Sequence, residues 1–345
     1  MSKSSDQVFH VSPSQANQTV AAALRHWLPG KTWNQVRDLV ARRKVLIDGN
    51  LCVDPARRLK EKEVVKLLGQ AAAELPREEQ VAIRYLDAHV VVVEKPAGMT
   101  TMRHPEEQDW PARRKQLQPT LDELLPRLIA KQSFAEGVPK RSLGTRKKEG
   151  KKRQKGSPAR VRPVHRLDRE TSGLMIFART VEAERHLGLQ FRKHTIHRRY
   201  LAIVQGDVDA QTVDTHLVRD RGDGRRGSTT LPKTGKRAVT HIRPMEKLSG
   251  YTLVECRLET GRTHQIRIHL AELGHPVCGE KVYHQPLFEP PREDRSGAPR
   301  VALHAAELGF THPITDEWML FKMPLPADLA TLLARLRSRK RASGG

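Results

Sequence analysis

From residue 174 onward the chain is a succession of short apolar segments, rich in β-branched residues and separated by turn residues. These segments are LMIFA, RRYLAIVQ, AVTHIRPM, YTLVECRLET, VALHAAELGF and WMLFKM. Their length and composition predict β-strands, and the short links between most of them favour antiparallel pairing. Helical patterns at 181–193, at 264–273 and in PADLATLLARLRSR interrupt the series. We therefore predict an α+β fold with a large, mainly antiparallel or mixed sheet flanked by helices.

The charge balance restricts what the chain can bind. Lys and Arg number 62 against 39 Asp and Glu, a formal charge of +23. This excess indicates a polyanionic partner, either nucleic acid or an anionic membrane surface. No apolar run approaches the roughly 18 residues of a membrane span, which favours nucleic acid. Three widely separated cysteines exclude a disulfide framework or a zinc knuckle, and MSKSSDQVFH lacks the apolar core of a secretory signal, so we expect a cytoplasmic protein.

Residues 18–68 have the pattern of a small basic α/β domain. A helix at 19–28 precedes a second helix capped by Thr32, a hairpin at Asp48-Gly49 and a strand in EVVKLL. Two short helices followed by a hairpin resemble the RNA-binding domain named after a ribosomal small-subunit protein, also called the alpha-L motif. The resemblance implies RNA contacts by the basic residues on and after the second helix: Arg37, Arg42, Arg43 and Lys44. The alternative is that these side chains only solvate a helix face.

The remaining boundaries follow from changes in pattern along the chain. We predict an N-terminal tail at 1–17, a linker at 69–80, a larger domain at 81–326, and a C-terminal helix and tail at 327–345. Within the larger domain, residues 139–162 hold eleven Lys or Arg and one acidic residue. Such a composition cannot form a core, so we predict a disordered or partly ordered basic insertion. It is either an arm that grips phosphates or a solvated loop, and the arm is favoured.

Two motifs combine charged groups in patterns that suit catalysis or anion binding. HRLDRETSGL places Asp168 between Arg166 and Arg169, in a loop directly before a strand. Neighbouring guanidinium groups favour an ionised carboxylate, which suits a nucleophile or a base; the alternative is an ordinary salt-bridged surface residue. TGRTHQIRIHLAELGHP has a turn with Arg262 that leads into a helix, where His264 and Arg267 share a face, a pattern that favours anion binding. Surface residues without a ligand are again the alternative, and the histidine spacing does not suit zinc.

Five motifs together carry a resemblance to a known family that no single motif carries alone. In order they are VEKPAGM, HRLDRETSGL, RRYLAIV, LETGRTHQIRIHLAELGHPVCGE and LHAAELGFTHP. They resemble the RluA-type family of RNA pseudouridine synthases over about residues 80–325. The resemblance implies isomerisation of uridine without cofactor or metal: the bond from uracil N1 to ribose breaks, the base turns, and carbon-5 forms the new bond. After KPAG the chain reads MTTMRHP, a departure from the more apolar run of many relatives.

The resemblance also implies residue roles. Asp168 is the essential carboxylate, which either adds to the anomeric carbon or removes a ribose proton to give a glycal. Tyr200 packs on the target base and helps to remove the carbon-5 proton, and Arg267 pairs with the aspartate. Arg166 fills the space that the flipped nucleotide leaves. RNA contacts are further expected at Arg169, Arg262 and His264.

The substrate and the assembly are less strongly indicated. Ribosomal RNA is favoured as substrate and transfer RNA is the other candidate; a monomer is the default expectation. The main alternative to an enzyme is a non-catalytic RNA-binding or ribosome-assembly factor that keeps the fold. A DNA-binding protein is a weaker alternative.

Overall fold

A computed structural model describes residues 6–48, 50–69, 71, 76–135, 160–222, 224–229, 231, 234–284 and 293–343. The chain forms two compact units. The small unit comprises Met1–Leu75 and Arg103–Pro119, and the large unit comprises Pro76–Met102 and Thr120–Gly345.

The small unit is a four-stranded antiparallel sheet with helices. Its elements are β1 (Gln7–His10), α1 (Val20–Trp27), α2 (Trp33–Ala41), β2 (Val45–Ile47), β3 (Asn50–Leu51), β4 (Val64–Leu67) and α3 (Ala112–Leu117). The strand order is β1-β4-β2-β3. Thr19 and Thr32 cap α1 and α2 through hydrogen bonds from the helix backbone. The two helices, the hairpin and the following strand predicted from the sequence are therefore confirmed.

The small unit also includes segments that the sequence-derived boundaries place elsewhere. Strand β1 lies in the predicted tail, yet it pairs with β4 from Gln7 to His10. The Arg103–Pro119 segment lies within the range predicted for the larger domain. Its Gln118 side chain donates a hydrogen bond of 2.7 Å to the carbonyl of Leu51, which ties the segment to β3. Strand β1 has only four residues, and the Gln118 contact joins a polar side chain to a backbone carbonyl, so neither is evident from the sequence.

The large unit is built on one sheet of eleven strands. Its strands are β5 (Ala82–Leu86), β6 (Val90–Lys95), β7 (Arg162–Pro163), β8 (Ser172–Ala178), β9 (His197–Gln205), β10 (Gln211–Val218), β11 (Gly227–Thr229), β12 (Lys236–Leu248), β13 (Tyr251–Leu258), β14 (Leu303–Thr311) and β15 (Trp318–Lys322). Its helices are α4 (Leu121–Ala135), α5 (Val181–Arg192), α6 (Gln265–Glu272) and α7 (Ala327–Ser343). The main strand order is β11-β10-β12-β13-β9-β14-β8-β6-β5, with β15 on β14 and β7 on β8.

The sheet is mixed because of one pair of strands. All the described pairs are antiparallel except β8 with β14, which are parallel and meet only at Ser172–Gly173 and His304–Ala305. Gly173 has a φ of +128°, and a Cβ on it would lie 2.3 Å from the carbonyl oxygen of Ala305. Only glycine allows so close an approach. The predicted α+β fold with a large mixed sheet is confirmed, and this contact fixes where the loop before β8 leaves the sheet.

The centre of the sheet is covered on both faces. All seven residues of β8 are buried. Phe177 packs into the cluster that includes α4 and α7, while Ile176 packs into the cluster that includes α5. A strand covered on both sides is a rigid support for the loop that precedes it. None of the helices in the described part of the chain is long and apolar enough to cross a bilayer.

Two buried histidines make the stability of this core sensitive to acid. His269 and His304 are fully buried, and burial lowers the pKa of each to about 4. Below an unfolded pKa of about 6.5 the unfolded state binds more protons, so stability is lost as the pH falls from 6.5 towards 4. We expect each histidine to remove about 2 kcal/mol between pH 7 and 5. Urea unfolding at pH 7, 6 and 5 measures the loss, which His269→Gln should reduce by that amount.

The control for this prediction is an exposed histidine of the same unit. His216 is exposed on β10. His216→Gln should keep the wild-type pH dependence of the free energy of unfolding. If His269→Gln has the wild-type dependence as well, the assigned cause is wrong.

Candidate active site

The loop that carries Asp168 is anchored to the sheet through its flanking residues. The Nε2 atom of His165 accepts a hydrogen bond of 3.1 Å from the backbone N–H of Ile176, and its ring stacks on Phe191 with centroids 4.9 Å apart. Burial lowers the pKa of His165 to about 3, which keeps the ring neutral and able to accept. The Thr101 hydroxyl donates to the carbonyl of Leu167, 2.9 Å away. The backbone on both sides of Arg166 is thereby fixed.

A buried lysine ties the other end of this loop to the KPAGM turn. Lys95 has no exposed surface, and its Nζ donates to the carbonyls of Pro96, Met99 and Arg169 at 3.0, 2.8 and 3.2 Å. Burial lowers the pKa of Lys95 to about 7. The Arg169 side chain donates in turn to the carbonyl of Gly98 at 3.0 Å. Arg169, a predicted RNA contact, thus bonds to the turn and is not among the residues that line the cavity described below.

Each carboxylate oxygen of Asp168 faces a different basic side chain. Arg267 Nη1 lies 3.5 Å from Oδ2, and His264 Nε2 lies 3.8 Å from Oδ1. The Asp168 side chain keeps 15% of its surface exposed. The pairing with Arg267 predicted from the sequence is present, although the two residues are 99 positions apart. The carboxylate is consequently held at the end of its loop but remains accessible.

Arg267 is itself fixed by a buried acidic residue. Its Nε and Nη2 atoms each donate a hydrogen bond of 2.7 Å to Glu280, and its guanidinium lies 5.2 Å from the ring centroid of Tyr283. Burial opposes the charge on Arg267, but Glu280 and then Asp168 outweigh it and raise the pKa of the guanidinium. Burial likewise favours the neutral form of Glu280, and Arg267 reverses this and lowers the pKa of that carboxyl. The arginine is a permanent cation with one nitrogen left for Asp168.

Tyr200 lies on β9, with only 7% of its surface exposed. Burial raises the pKa of its phenol, and Arg198 partly offsets that effect. Arg198 is two residues earlier on the same face of the strand, 5.6 Å from the ring centroid of Phe191, and donates to the carbonyl of Glu259 at 2.9 Å. The phenol is therefore protonated at neutral pH, beside a buried guanidinium.

These groups line one cavity of about 420 Å³. Six of the residues predicted for the site line it: Arg166, Asp168, Tyr200, Arg262, His264 and Arg267. Four further Arg or His residues line it that the sequence analysis did not identify as site residues: His165, Arg192, His194 and Arg198. Asp168 is the single carboxylate among the described lining residues. The cavity thus surrounds one acid with cationic groups, and its volume lies in the usual range of small-molecule sites.

The helix that contributes Arg267 begins later than predicted. The sequence indicates a helix from His264, but α6 begins at Gln265 and His264 is its N-cap, with a φ of +59°. The Gln265 side chain accepts hydrogen bonds from the backbone of Arg262 and from Thr260. Gly274, at a φ of +82°, follows the helix as predicted. The predicted shared helical face is therefore wrong: His264 reaches Asp168 from the N-cap of α6, and Arg267 reaches it from the first turn.

The basic residues predicted in the N-terminal domain all lie in the small unit. Arg37 and Arg42 are exposed, and Arg42 forms an ion pair of 2.8 Å with Asp38. Arg43 adopts a φ of +57°, and Lys44 donates to the carbonyl of Gly69 at 3.0 Å. Most of the predicted basic insertion, residues 139–159, lies outside the described residues, and its role stays a prediction.

The comparison with protein families matches residues 89–272 to a model described as RNA pseudouridylate synthase. This range covers more than half of the chain and contains Asp168, Tyr200 and Arg267. The chain belongs to the RNA pseudouridylate synthase family. It is accordingly a pseudouridine synthase, an isomerase with an RNA substrate, and the family that the five motifs indicate is confirmed.

Curated relatives and a solved structure agree with this assignment. Ribosomal large subunit pseudouridine synthase D of Nitrosomonas europaea is 35% identical over 263 residues, which are 76% of this chain and 67% of the relative. The protein of that name from Zymomonas mobilis is also 35% identical, over 84% of each chain. The structure of human RNA pseudouridylate synthase domain containing 4 covers 74% of this synthase and 93% of the human chain, at 23% identity and a TM-score of 0.54, a likeness of fold.

Proposed function

We propose that this synthase isomerises uridines of ribosomal RNA and that Asp168 is the group that attacks the ribose. The observation that carries the proposal is one carboxylate, single among the cavity-lining residues in the described ranges, held between Arg267 and His264 and facing cationic walls. Glycoside hydrolysis with water uses a pair of carboxylates, whereas an isomerisation needs one nucleophile or base and a closed pocket. The names of the relatives, which specify the ribosomal large subunit, support ribosomal RNA as substrate.

The uridine has to leave its stack before it can enter the cavity. Flipping costs a few kcal/mol, and stacking of the base against an aromatic ring offsets part of that cost. Tyr200 is the aromatic residue that we assign to the base. Arg166, exposed at the cavity, is placed to fill the vacated position, and Arg192 adds a positive charge for the flanking phosphates. These contacts are expected to weaken as salt rises.

The protonation state of Tyr200 indicates how the chemical steps are distributed between Asp168 and Tyr200. The Asp168 carboxylate, 3.5 Å from Arg267, either adds to the anomeric carbon or removes a ribose proton, and both routes free the uracil to turn. Burial raises the pKa of the Tyr200 phenol, so this residue reaches the reaction protonated. A protonated phenol is a poor base, which favours packing as its main role. We therefore assign Asp168, rather than Tyr200, to the carbon-5 proton after the new bond has formed.

Three further assignments belong to this proposal. The small unit, with Arg37, Arg42, Arg43 and Lys44, is an additional RNA-binding surface. The protein works as a monomer. Its place is the cytoplasm, which is consistent with the three cysteines being buried thiols.

Mapping of pseudouridine in defined RNA tests the proposal. The protein is incubated with unmodified transcripts of large-subunit ribosomal RNA, small-subunit ribosomal RNA and transfer RNA, which are then treated with carbodiimide and reverse-transcribed. We expect new stops at specific uridines of the large-subunit transcript. Stops in transfer RNA alone would overturn the substrate but not the reaction. No stops in any transcript, with RNA bound, would favour the non-catalytic binding factor.

A further inference from the structure

A tyrosine and a histidine form a hydrogen-bonded pair directly beside Asp168. The Tyr283 hydroxyl lies 2.7 Å from Nδ1 of His264, and the opposite ring nitrogen of His264, Nε2, lies 3.8 Å from Oδ1 of Asp168. Tyr283 has 3% of its surface exposed and is not among the residues that line the cavity. The pair therefore joins a buried phenol to the carboxylate through one imidazole ring.

The chemistry of the two neighbours decides which ring nitrogen of His264 carries the proton. Burial lowers the pKa of His264, so the ring is neutral at pH 7 and has one N–H and one lone pair. Burial raises the pKa of the Tyr283 phenol to about 12, so its O–H is retained and can donate to Nδ1. The proton of the ring is then on Nε2 and points at the carboxylate. The opposite arrangement would place a lone pair against the negative oxygen of Asp168.

The surroundings of the pair hold it in this orientation. Glu280 accepts hydrogen bonds from the backbone N–H groups of Lys281, Val282 and Tyr283, at 2.9, 2.9 and 3.3 Å, and so fixes the segment that carries the phenol. The carbonyl of His264 accepts from Ile268 at 2.9 Å, which fixes the histidine on α6. His264 adopts the left-handed conformation there, a strained conformation that persists only when its surroundings impose it.

The charged groups that face the ring come from four elements. They are Asp168 on the loop before β8, Arg267 on α6, Glu280 on the segment after α6, and Arg226 on the link from β10 to β11. Arg267 is engaged bidentately by Glu280, so these two charges largely offset each other at His264. Asp168 remains the anion in front of Nε2, which favours an N–H at that atom.

We propose that Tyr283 fixes His264 in the Nε2–H tautomer and that His264 is thereby a second positioning residue for Asp168. The inference rests on the proposed function of Asp168. Arg267 holds one carboxylate oxygen and the imidazole N–H holds the other, so the carboxylate plane is set before the ribose arrives. The distance of 3.8 Å exceeds a hydrogen bond, and such contacts commonly shorten when an unliganded site binds its substrate.

The tautomer can be measured without any activity assay. Protein labelled with ¹⁵N in its 16 histidines gives long-range proton–nitrogen spectra that distinguish Nε2–H from Nδ1–H, and His264→Gln identifies the signal of residue 264. We expect a single Nε2–H tautomer in the wild type and both tautomers in Tyr283→Phe, which keeps the ring and removes the donor. A proton on Nδ1 in the wild type, or an unchanged spectrum in Tyr283→Phe, overturns the proposal.

Single-turnover rates test the functional consequence. Loss of one hydrogen bond to a charged group corresponds to roughly a tenfold to hundredfold lower rate, which is our expectation for Tyr283→Phe and for His264→Gln. Because Tyr283 acts through His264, the double variant should be no slower than His264→Gln alone. Additive losses would mean that Tyr283 acts independently, and would overturn the relay. Thermal unfolding of each variant identifies any loss that is due to misfolding.

Tyr251→Phe is the matched control, since Tyr251 lies half-buried on β13, outside the cavity lining. It should leave both the rate and the spectrum of His264 unchanged. Failure of the proposed role of Asp168 is recognised separately, because Asp168→Asn would then keep the wild-type rate. The tautomer of His264 would still decide the structural part of the inference.

Discussion

Asp168→Asn is expected to lower the single-turnover rate of pseudouridine formation by roughly three orders of magnitude or more. Asparagine keeps the size and the planar shape of the side chain, but its amide can neither add to the anomeric carbon nor accept a ribose proton. Binding should persist, because the variant removes a negative charge from a cavity that receives a polyanion. Release of tritium from RNA labelled at carbon-5 of uridine measures the rate, and filter binding measures the affinity.

The control for this prediction is the other acidic residue of the same loop. Glu170 lies half-buried two residues further on, and it is not among the residues that line the cavity. Glu170→Gln removes the same charge two residues along the loop and should retain the wild-type rate. Wild-type activity in Asp168→Asn, or an equal loss in both variants, would mean that general charge and not the carboxylate at 168 supports the reaction.

The sequence predicts the elements of the large unit well because strand and helix signals are local. Apolar β-branched segments become β8, β9, β12, β13 and β14, and at the start of α4 the Glu123 side chain accepts a hydrogen bond of 3.1 Å from the backbone N–H of Thr120. The order of eleven strands has no local signal. The parallel contact of β8 with β14, for example, depends on the absence of a side chain at Gly173, which only its neighbour at Ala305 explains.

The site shows the same difference between residues with a local sequence signal and residues whose function depends on long-range contacts. Asp168, Tyr200 and Arg267 were predicted because each belongs to a motif that resembles a known family. Glu280 and Tyr283 were missed, although both follow in the same run of sequence, because their function is to hold Arg267 and His264 rather than to face the cavity. An acidic residue after a predicted basic helix was the available signal. Its burial makes Glu280 the ion-pair partner of Arg267, and burial cannot be predicted from a single Glu in the sequence.

Arg267→Met is expected to abolish activity and to lower the free energy of unfolding by about 3–5 kcal/mol, since it leaves the carboxylate of Glu280 buried without its cation. The Glu280 side chain is only 1% exposed, so solvent cannot replace the arginine. Adding Glu280→Gln removes the uncompensated charge and should restore most of the stability. It should not restore activity, because Asp168 still lacks the guanidinium 3.5 Å away. Urea unfolding and the tritium assay, applied to both variants, separate the two effects.

A buried carboxylate elsewhere in the sheet shows that the remaining cationic partners decide the size of this effect. Glu255 is 4% exposed and pairs with Arg257, whose side chain is 56% exposed. Arg199 and Arg243 pair with the same carboxylate, so Arg257→Met leaves it compensated. We expect that variant to lose at most about 1 kcal/mol and to keep its activity. An equal loss of stability in Arg257→Met and Arg267→Met would show that the cost arises from removing any arginine from the sheet, and that Glu280 has no particular dependence on Arg267.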